Sequence, residues 1–477
     1  MNVPEAEAAV PIVIAHGELR TAEPDVDAAA EKQMVEAAGA VASAWNTAAV
    51  EYVVLNGLEG YPERIGRDLD VVVRRGEGKR VLAIAAGVLR ARGWIVTYPP
   101  DTWGLRVVAF SGTYGLEIHT LERLTWGPAV LYPEPRADGC VGPFKTDSHG
   151  RFVKRVVLPL LARRYGKVSA ARDAFGDAGN IAAHLRRLLA GSGEADEIAR
   201  LARLLVAGGA SDLESARTGI ASKVVRRALL GDLAGAAART VGWLGTRVKR
   251  YAWRSGLTVA LVGPDGVGKS SVAAALETVD RSVFTDVHVR HWRPGLLPDL
   301  GRLARLRPKH DGGGPVAPRR RAGRFYWPRL LYYSLDFWLG HHLKDRWLLG
   351  RQVLLLYDRA FLDMLVDPVR YGLGSTSGMM SLWRMLPKPD LIIVLRDDPE
   401  RVHARKPELG VAEVHRQLEA WHALVEAGEV RVVDVCGSPE VVAGRVQELI
   451  IDAFVARYGE RPAGAAMPAD GMADGMA

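Results

Sequence analysis

The sequence has few cysteines and no long apolar segment. Only two of its 477 residues are cysteines, Cys140 and Cys436, and neither lies in a CxxC pair or beside a histidine cluster. A disulfide framework or a structural zinc site therefore finds no support in the cysteine pattern. No run approaches the ~20 apolar residues that span a bilayer, and the acidic start MNVPEAEAAV is unlike a secretory leader. These absences predict a cytoplasmic protein without membrane association.

Composition excludes several classes of protein. Apolar residues make up 48% of the chain and charged residues 25%, which is typical of folded globular proteins and excludes disordered, collagen-like and fibrous chains. At ~100–200 residues per domain, the length predicts several domains. Lysine and arginine outnumber aspartate and glutamate by 63 to 55, a net charge of +8 whose meaning depends on where it is concentrated.

The pattern of apolar residues divides the chain into two α/β regions joined by helices. Alternating segments such as DLDVVV and YGLEIHTL predict strands, whereas leucine and alanine at spacings of three and four predict helices. In the C-terminal region strands alternate with helices, which predicts a three-layer α/β/α fold with a parallel sheet. The predicted units are an N-terminal extension (1–40), a small α/β domain (41–150), a helical connector (151–255), the C-terminal α/β domain (256–460) and a disordered tail (461–477).

A glycine-rich phosphate-binding motif follows the first strand of the C-terminal region. The segment GPDGVGKS matches G-x-x-x-x-G-K-[ST] and lies between an apolar strand and a helix. Such a loop points backbone N–H groups at phosphate oxygens, Lys269 would reach the β- and γ-phosphates, and Ser270 would bind Mg²⁺. The residues expected to contact the nucleotide are Gly263, Gly266, Gly268, Lys269, Ser270 and Ser271. The motif alone does not distinguish a kinase from an ATPase or a GTPase.

Three segments of the C-terminal region resemble the thymidylate kinase family of nucleoside-monophosphate kinases. They are GPDGVGKSS, the pair Asp358-Arg359 in LLLYDR, and PKPDLIIVLRDDPERVHARK, and the resemblance covers roughly residues 257–458. It implies a P-loop kinase fold, ATP and Mg²⁺ as cofactors, and phosphoryl transfer to a nucleoside monophosphate or a related phosphorylated metabolite. The implied catalytic residues are Asp265, Lys269, Asp358, Arg359, Arg401 and Arg405. Asp358 would hold Mg²⁺ together with Ser270.

The acceptor side departs from the family pattern. Ala360 follows the Asp-Arg pair where the family usually has tyrosine or histidine, and the second strand ends in the unfamiliar sequence HWRP. The donor site thus looks retained and the acceptor site rebuilt. The residues predicted to line the acceptor pocket are His291, Arg293, Asp363, Asp367 and Arg370. A small-molecule acceptor is expected, and a kinase for a sugar or another non-nucleotide acceptor remains an alternative.

The positive charge is concentrated in one segment of the C-terminal region. Residues 290–329 contain eleven lysines and arginines but only two acidic residues, and the loop over 302–321 lies at the centre of this segment. We favour a loop that covers an anionic substrate, with the neighbouring aromatic residues packing into the core. Single-stranded nucleic acid, bound through charge and base stacking by a regulatory ATPase, is the alternative. The sequence leaves a homodimer open.

The N-terminal domain contains a second acidic pattern. Asp68 and Asp70 alternate on one strand, and Glu117 and His119 alternate on a later strand, so that the carboxylates could share a divalent metal. Over roughly residues 43–132 this region resembles the polymerase-beta-like nucleotidyltransferase superfamily, and the resemblance implies that Asp68, Asp70 and Glu117 are metal ligands. Leu58 replaces the usual serine after glycine, which removes a hydroxyl. Either catalysis or a substrate-binding remnant is therefore compatible with the sequence.

Overall fold

The computed structural model describes the chain except for its ends and some internal segments. The described residues are 24–101, 104–190, 194–279, 284–298, 327–368, 370–371, 373, 378–407, 409–426, 428 and 430–459. The predicted basic loop over 302–321 and the predicted tail over 461–477 lie outside them.

The N-terminal region is built on a mixed β-sheet. Its strands and one helix are β1 Tyr52–Asn56, β2 Asp68–Val73, α2 Gly78–Ala91, β3 Ile95–Thr97, β4 Leu105–Ser111, β5 Tyr114–Leu121, β6 Leu124–Trp126, β7 Ala129–Tyr132, β8 Gly139–Val141 and β9 Phe144–Thr146. Within the described residues, seven strands form one sheet in the order β3-β4-β5-β2-β1-β9-β8, and β6 pairs with β7 separately. Strands β2 and β5 are parallel, with Asp68 opposite Glu117 and Asp70 opposite His119.

A long helix precedes this sheet and belongs to its core. Helix α1, Pro24–Thr47, places Met34, Val41 and Trp45 in the same apolar cluster as β1 and β2. Trp45 is fully buried and donates a hydrogen bond to the carbonyl of Val81, at 2.9 Å. The boundary predicted at residue 40 therefore lies within α1. Residues 24–40, which were predicted to belong to an N-terminal extension, are part of the helix that packs on the sheet.

The helical connector packs against the N-terminal sheet. Its helices are α3 Ser148–Phe152, α4 Leu158–Leu161, α5 Tyr165–Arg172, α6 Ala178–Leu188, α7 Ala195–Ala207, α8 Ala210–Gly231 and α9 Leu233–Ala252, with a π-helical turn over Val153–Val157 and a 3-10 turn over Asp173–Phe175. Leu55 and Tyr132 of the sheet share one apolar cluster with Phe152, Leu185 and Leu201 of the connector. The boundary predicted at residue 150 lies inside α3, because the first connector helices complete the core of the preceding domain.

The C-terminal region is a parallel α/β fold, which confirms the predicted fold class. Its elements are β10 Leu257–Val262, α10 Lys269–Val279, β11 Asp286–His291, α11 Trp327–Gly340, α12 Arg346–Leu349, β12 Val353–Asp358, α13 Asp363–Val366, α14 Met379–Met385, β13 Leu391–Arg396, α15 Pro399–Arg405, α16 Val411–Glu426, β14 Arg431–Asp434 and α17 Pro439–Tyr458. A π-helical turn over His341–Asp345 joins α11 to α12. Among the described residues the sheet has five strands in the order β11-β12-β10-β13-β14, all parallel. The central strands are buried on both faces, which explains their continuous apolar sequences.

The N-terminal sheet docks onto the C-terminal region through an apolar contact. Val108 and Phe110 of β4 share a cluster with β10 and α17, and Phe110 meets Phe454 edge to face at 5.6 Å. The N–H of Tyr98 donates to the carbonyl of Tyr458, at 2.8 Å. The two α/β regions are thus in direct contact. Within the described residues, no helix combines the length and apolar character needed to cross a membrane.

The assignment of α1 to the core predicts a large effect of Trp45→Ala. Removing a buried tryptophan costs roughly 3–5 kcal/mol, so the thermal transition should fall by about 10 °C. Trp338→Ala is the matched control, because Trp338 is 46% exposed. Differential scanning calorimetry checks this, and equal transitions for both variants would contradict the assignment.

Candidate active site

The phosphate loop connects a buried strand to a helix. Strand β10 is buried throughout and ends before Gly263. Gly263 has a φ of +137°, and a Cβ at this position would lie 2.6 Å from the carbonyl oxygen of Leu395, so only glycine fits here. Lys269, the first residue of α10, donates to the carbonyls of Gly263 and Pro264 at 2.8 and 2.9 Å. Burial and the nearby Arg359 lower the pKa of Lys269. The lysine is therefore held over the loop, and Ser271 lies on the exposed side of the next turn.

The predicted magnesium residues are in contact. The Ser270 hydroxyl donates to Oδ2 of Asp358 at 3.0 Å, and Nδ1 of His291 lies 3.2 Å from the same oxygen. The parallel sheet explains this, because Leu261 of β10 and His291 of β11 both lie opposite Asp358. The other carboxylate oxygen, Oδ1 of Asp358, is buried without a hydrogen-bond partner. A buried, unpartnered carboxylate oxygen beside a serine hydroxyl fits Mg²⁺, which takes few protein ligands and completes its shell with phosphate and water.

Asp265 is the centre of a charged cluster within the loop. It accepts hydrogen bonds from Arg359 and from Arg370, and it lies 3.8 Å from the Lys269 ammonium. Burial opposes the charge on Asp265, but the two guanidinium groups outweigh it and lower its pKa to about 2. Arg359 adopts a φ of +93°, a backbone conformation that costs a non-glycine residue ~1–3 kcal/mol and is often found at functional sites.

A pocket opens beside the phosphate loop. It is lined by Gly263, Asp265, Arg359, Asp363, Val366, Asp367, Arg370, Tyr371, Gln417 and Trp421. Three of the residues predicted to bind the acceptor, Asp363, Asp367 and Arg370, thus lie together. Sequence reasoning missed Gln417 and Trp421, which lie one turn apart on α16 and match no local motif.

The two aspartates of the pocket are held by different contacts. Oδ2 of Asp363 accepts the backbone N–H of Ala360 at 2.6 Å, and burial raises the pKa of Asp363 to about 6. Asp367 accepts the backbone N–H of Arg370 at 3.2 Å and the Gln417 amide at 3.4 Å. Both carboxylates are largely buried, so they are oriented by the fold rather than free in solvent.

The arginines Arg401 and Arg405, implied above as catalytic, lie on α15, which packs on the phosphate loop. A Cβ on Gly266 would lie 3.1 Å from the carbonyl of Val402, in the middle of that helix. Arg401 pairs with the buried carboxylate of Asp397 at 2.8 Å, and Arg405 pairs with the same group. Both arginine side chains are substantially exposed, so they can reorient without unfolding the helix.

The segment after β11 contains Arg293, whose predicted role at the acceptor stays a prediction. Arg293 does not line the pocket; it pairs with the fully buried Asp336 of α11 at 3.1 Å. Asp336 also accepts the N–H of Leu297 at 2.6 Å, so this arginine anchors a turn. His291 stays beside Asp358 but not in the pocket lining, whereas Trp292 stacks on Tyr371 with ring centroids 4.9 Å apart.

The N-terminal acidic residues also lie together, as predicted, but they are paired. The Asp70 carboxylate lies 2.6 Å from the Lys154 ammonium and 3.3 Å from Nδ1 of His119, whose Nε2 lies 2.9 Å from Asp101. Burial opposes charge on His119, yet both carboxylates raise its pKa to about 10. Lys154 and His119 outweigh burial at Asp70 and lower its pKa to about 2.

Glu117 joins the N-terminal site to the C-terminal region. It pairs with Arg106 at 3.3 Å and accepts the side-chain amide of Gln352 at 2.6 Å. Gln352 directly precedes β12, so the C-terminal region contacts Glu117 on the acidic face of β2 and β5. Burial raises the pKa of Glu117, and desolvation together with the charges of Asp70 and Glu117 raises that of Asp68.

These contacts bear on the predicted N-terminal metal ligands. Among the described residues, no group of three or more His, Cys, Asp or Glu side chains could hold a metal ion. The ammonium of Lys154 lies where a cation would meet Asp70, and Leu58, in place of serine, is buried in the apolar core. A metal bound by Asp68, Asp70 and Glu117 thus stays a prediction that this arrangement does not favour.

Comparison with known proteins gives structural neighbours only. No protein-family model matches the chain, and no curated protein matches it. Among solved structures, thymidylate kinase from Candida albicans is similar at 20% identity and a TM-score of 0.31, covering 42% of this chain and 92% of the other. Thymidylate kinase from Ehrlichia chaffeensis is similar at 14% identity and a TM-score of 0.28, covering 41% of this chain and 98% of the other.

The buried pair of Asp70 and Lys154 predicts that Lys154→Ala destabilises the protein. Removing one partner of a buried ion pair costs roughly 3–5 kcal/mol, and the lower end is expected because His119 remains beside Asp70. Calorimetry should show a transition several degrees lower. The double variant Asp70→Asn/Lys154→Met, which removes both charges, should recover much of this loss.

Lys167→Ala is the control, because Lys167 is exposed on α5. If Lys154→Ala and Lys167→Ala unfold at the same temperature, the ammonium of Lys154 does not stabilise the acidic site.

Proposed function

We propose that this chain is a P-loop kinase, which transfers the γ-phosphoryl group of ATP to a small-molecule acceptor in the presence of Mg²⁺. The main support is the contact of Ser270 with Asp358 at the end of a phosphate loop whose lysine is Lys269. The acceptor would enter the adjoining pocket between the loop and α16.

The charged residues suit phosphoryl transfer. The reaction needs little covalent chemistry from the protein, but its phosphate oxygens must be neutralised and held in line. Loop N–H groups and Lys269 would bind the phosphates, while Arg401 and Arg405 are near enough to approach from α15. Ser270 and Asp358 would hold Mg²⁺, which neutralises phosphate charge when bound. Arginine suits phosphate binding, because it stays charged and forms bidentate hydrogen bonds.

The motifs of the sequence favour a nucleoside monophosphate or a related phosphorylated metabolite as acceptor, and Arg359 and Arg370 are the pocket arginines that could meet its phosphate. A neutral sugar is the second candidate, which the carboxylates of the pocket favour. A regulatory ATPase that binds nucleic acid through residues 302–321 is a third, and those residues lie outside the described part of the chain.

For the N-terminal domain we propose a substrate-binding role rather than catalysis. The ion pair of Asp70 with Lys154 and the buried Leu58 support this. A nucleotidyltransferase that activates a hydroxyl with two metal ions would need its carboxylates available to those metals.

The proposed function predicts that Lys269→Ala weakens ATP binding. Loss of a charge-assisted hydrogen bond to phosphate is worth ~1.5–3 kcal/mol, so the Kd should rise roughly ten- to a hundredfold. Isothermal titration calorimetry of the full chain with ATP and Mg²⁺ measures it. Lys32→Ala is the control, since Lys32 is exposed on α1. Unchanged ATP affinity in Lys269→Ala, or no ATP binding by the natural protein, would overturn the proposed function.

A further inference from the structure

The pocket beside the phosphate loop holds more negative than positive side chains. Its charged lining residues are three aspartates, Asp265, Asp363 and Asp367, and two arginines, Arg359 and Arg370. Both arginines donate to Asp265. In the described part of the chain, Asp363 and Asp367 accept no hydrogen bond from an arginine side chain. These two carboxylates are therefore not hydrogen-bonded to the lining arginines, although Lys269, Arg359 and Arg370 lie near Asp363.

This charge pattern disfavours a phosphorylated acceptor. A phosphate group carries up to two negative charges, and it would lie beside partly desolvated carboxylates, where like charges repel more strongly than in water. A neutral acceptor does not meet this cost.

The remaining lining residues suit hydroxyl groups. Carboxylates accept hydrogen bonds from hydroxyls, and the amide of Gln417 can both donate and accept. Trp421, one turn along α16, supplies an apolar surface for C–H groups. Two carboxylates, an amide and an indole together bind a polyhydroxy compound better than an anion.

Asp363 occupies the position that hydroxyl chemistry requires. It lines the same pocket as Gly263 of the phosphate loop, and the N–H of Ala360 fixes one of its oxygens, Oδ2. In the described residues the other oxygen has no protein hydrogen bond. The charged and titratable groups that face Asp363 are Lys269, Arg359, Arg370 and Tyr371. Burial raises the pKa of Asp363 to about 6, which makes it a stronger base than an exposed aspartate, while Arg359, Lys269 and Arg370 favour its ionised form.

We propose that the acceptor is a neutral, hydroxyl-bearing molecule such as a sugar or a polyol, and that Asp363 removes the proton of the reacting hydroxyl. This inference rests on the proposed kinase function. The acceptor oxygen forms a bond to the γ-phosphorus as the bond from that phosphorus to the β,γ-bridging oxygen breaks. The hydroxyl proton passes to the Asp363 carboxylate and then to solvent. The products are ADP, a phosphate monoester and one proton.

The first test uses water as the acceptor and needs no known substrate. ADP release by the full chain is measured with saturating ATP and Mg²⁺ between pH 5 and 8. The rate should rise as the pH passes about 6, since the carboxylate is the active form. Asp363→Asn should lower the rate roughly a hundredfold or more and remove this rise, with ATP affinity unchanged. Asp452→Asn is the control, because Asp452 is exposed on α17.

The second test distinguishes the two acceptor classes. ADP release is compared with neutral hexoses, pentoses, glycerol and inositol in one arm, and with TMP, UMP, CMP and AMP in the other. Stimulation by a neutral compound, lost in Asp363→Asn, is the expected result. Stimulation by a monophosphate alone would overturn the inference. So would ATP binding without any turnover that depends on Asp363, whereas failure of the natural protein to bind ATP would overturn the kinase function itself.

Discussion

The candidate site depends on the parallel register of β10 with β12. Leu261 lies opposite Asp358 in this register, so that the carboxylate at the end of β12 meets the hydroxyl of Ser270 at the start of α10. Ligands of open parallel sheets bind at the carboxyl ends of the strands, because the backbone turns there and leaves a crevice. A shift of one residue would point Asp358 to the other face of the sheet. The contact of Ser270 with Asp358 and the position of the phosphate loop therefore both depend on the register of β10 with β12.

Asp265 couples the donor and acceptor sides of this crevice. It belongs to the phosphate loop, yet its carboxylate binds the arginine that follows β12 and a second one near the pocket mouth, Arg359 and Arg370. The two guanidinium groups lower the pKa of Asp265 although burial opposes its charge. Because both arginines bond to Asp265, Asp363 and Asp367 are the carboxylates that would meet an acceptor in the proposed function.

Local patterns in the sequence predicted the strands of the C-terminal sheet, strands β1 to β5 of the N-terminal sheet, the phosphate loop and the placing of Ser270 and Asp358 at one end of the sheet, but not β8 and β9. They succeeded because strand periodicity and the glycine-lysine spacing are local properties, and because parallel strands end at one edge. The failures concern partners distant in the chain. Nothing near Arg293 indicates its pairing with Asp336, and nothing near Asp70 indicates Lys154. The packing of α1 against β1 and β2 was missed for the same reason. The apolar spacing of α1 indicates a helix, but it does not indicate which part of the chain the helix packs against.

The central claim is transfer of a phosphoryl group from ATP to an organic acceptor. The most direct test incubates the full chain with ATP labelled with ³²P in the γ-phosphate, Mg²⁺ and a mixture of neutral sugars, polyols and nucleoside monophosphates, and then separates the products. The account predicts that label appears in an organic phosphate monoester and that Lys269→Ala abolishes it. Label that appears only in inorganic phosphate, or stays in ATP, would contradict a kinase.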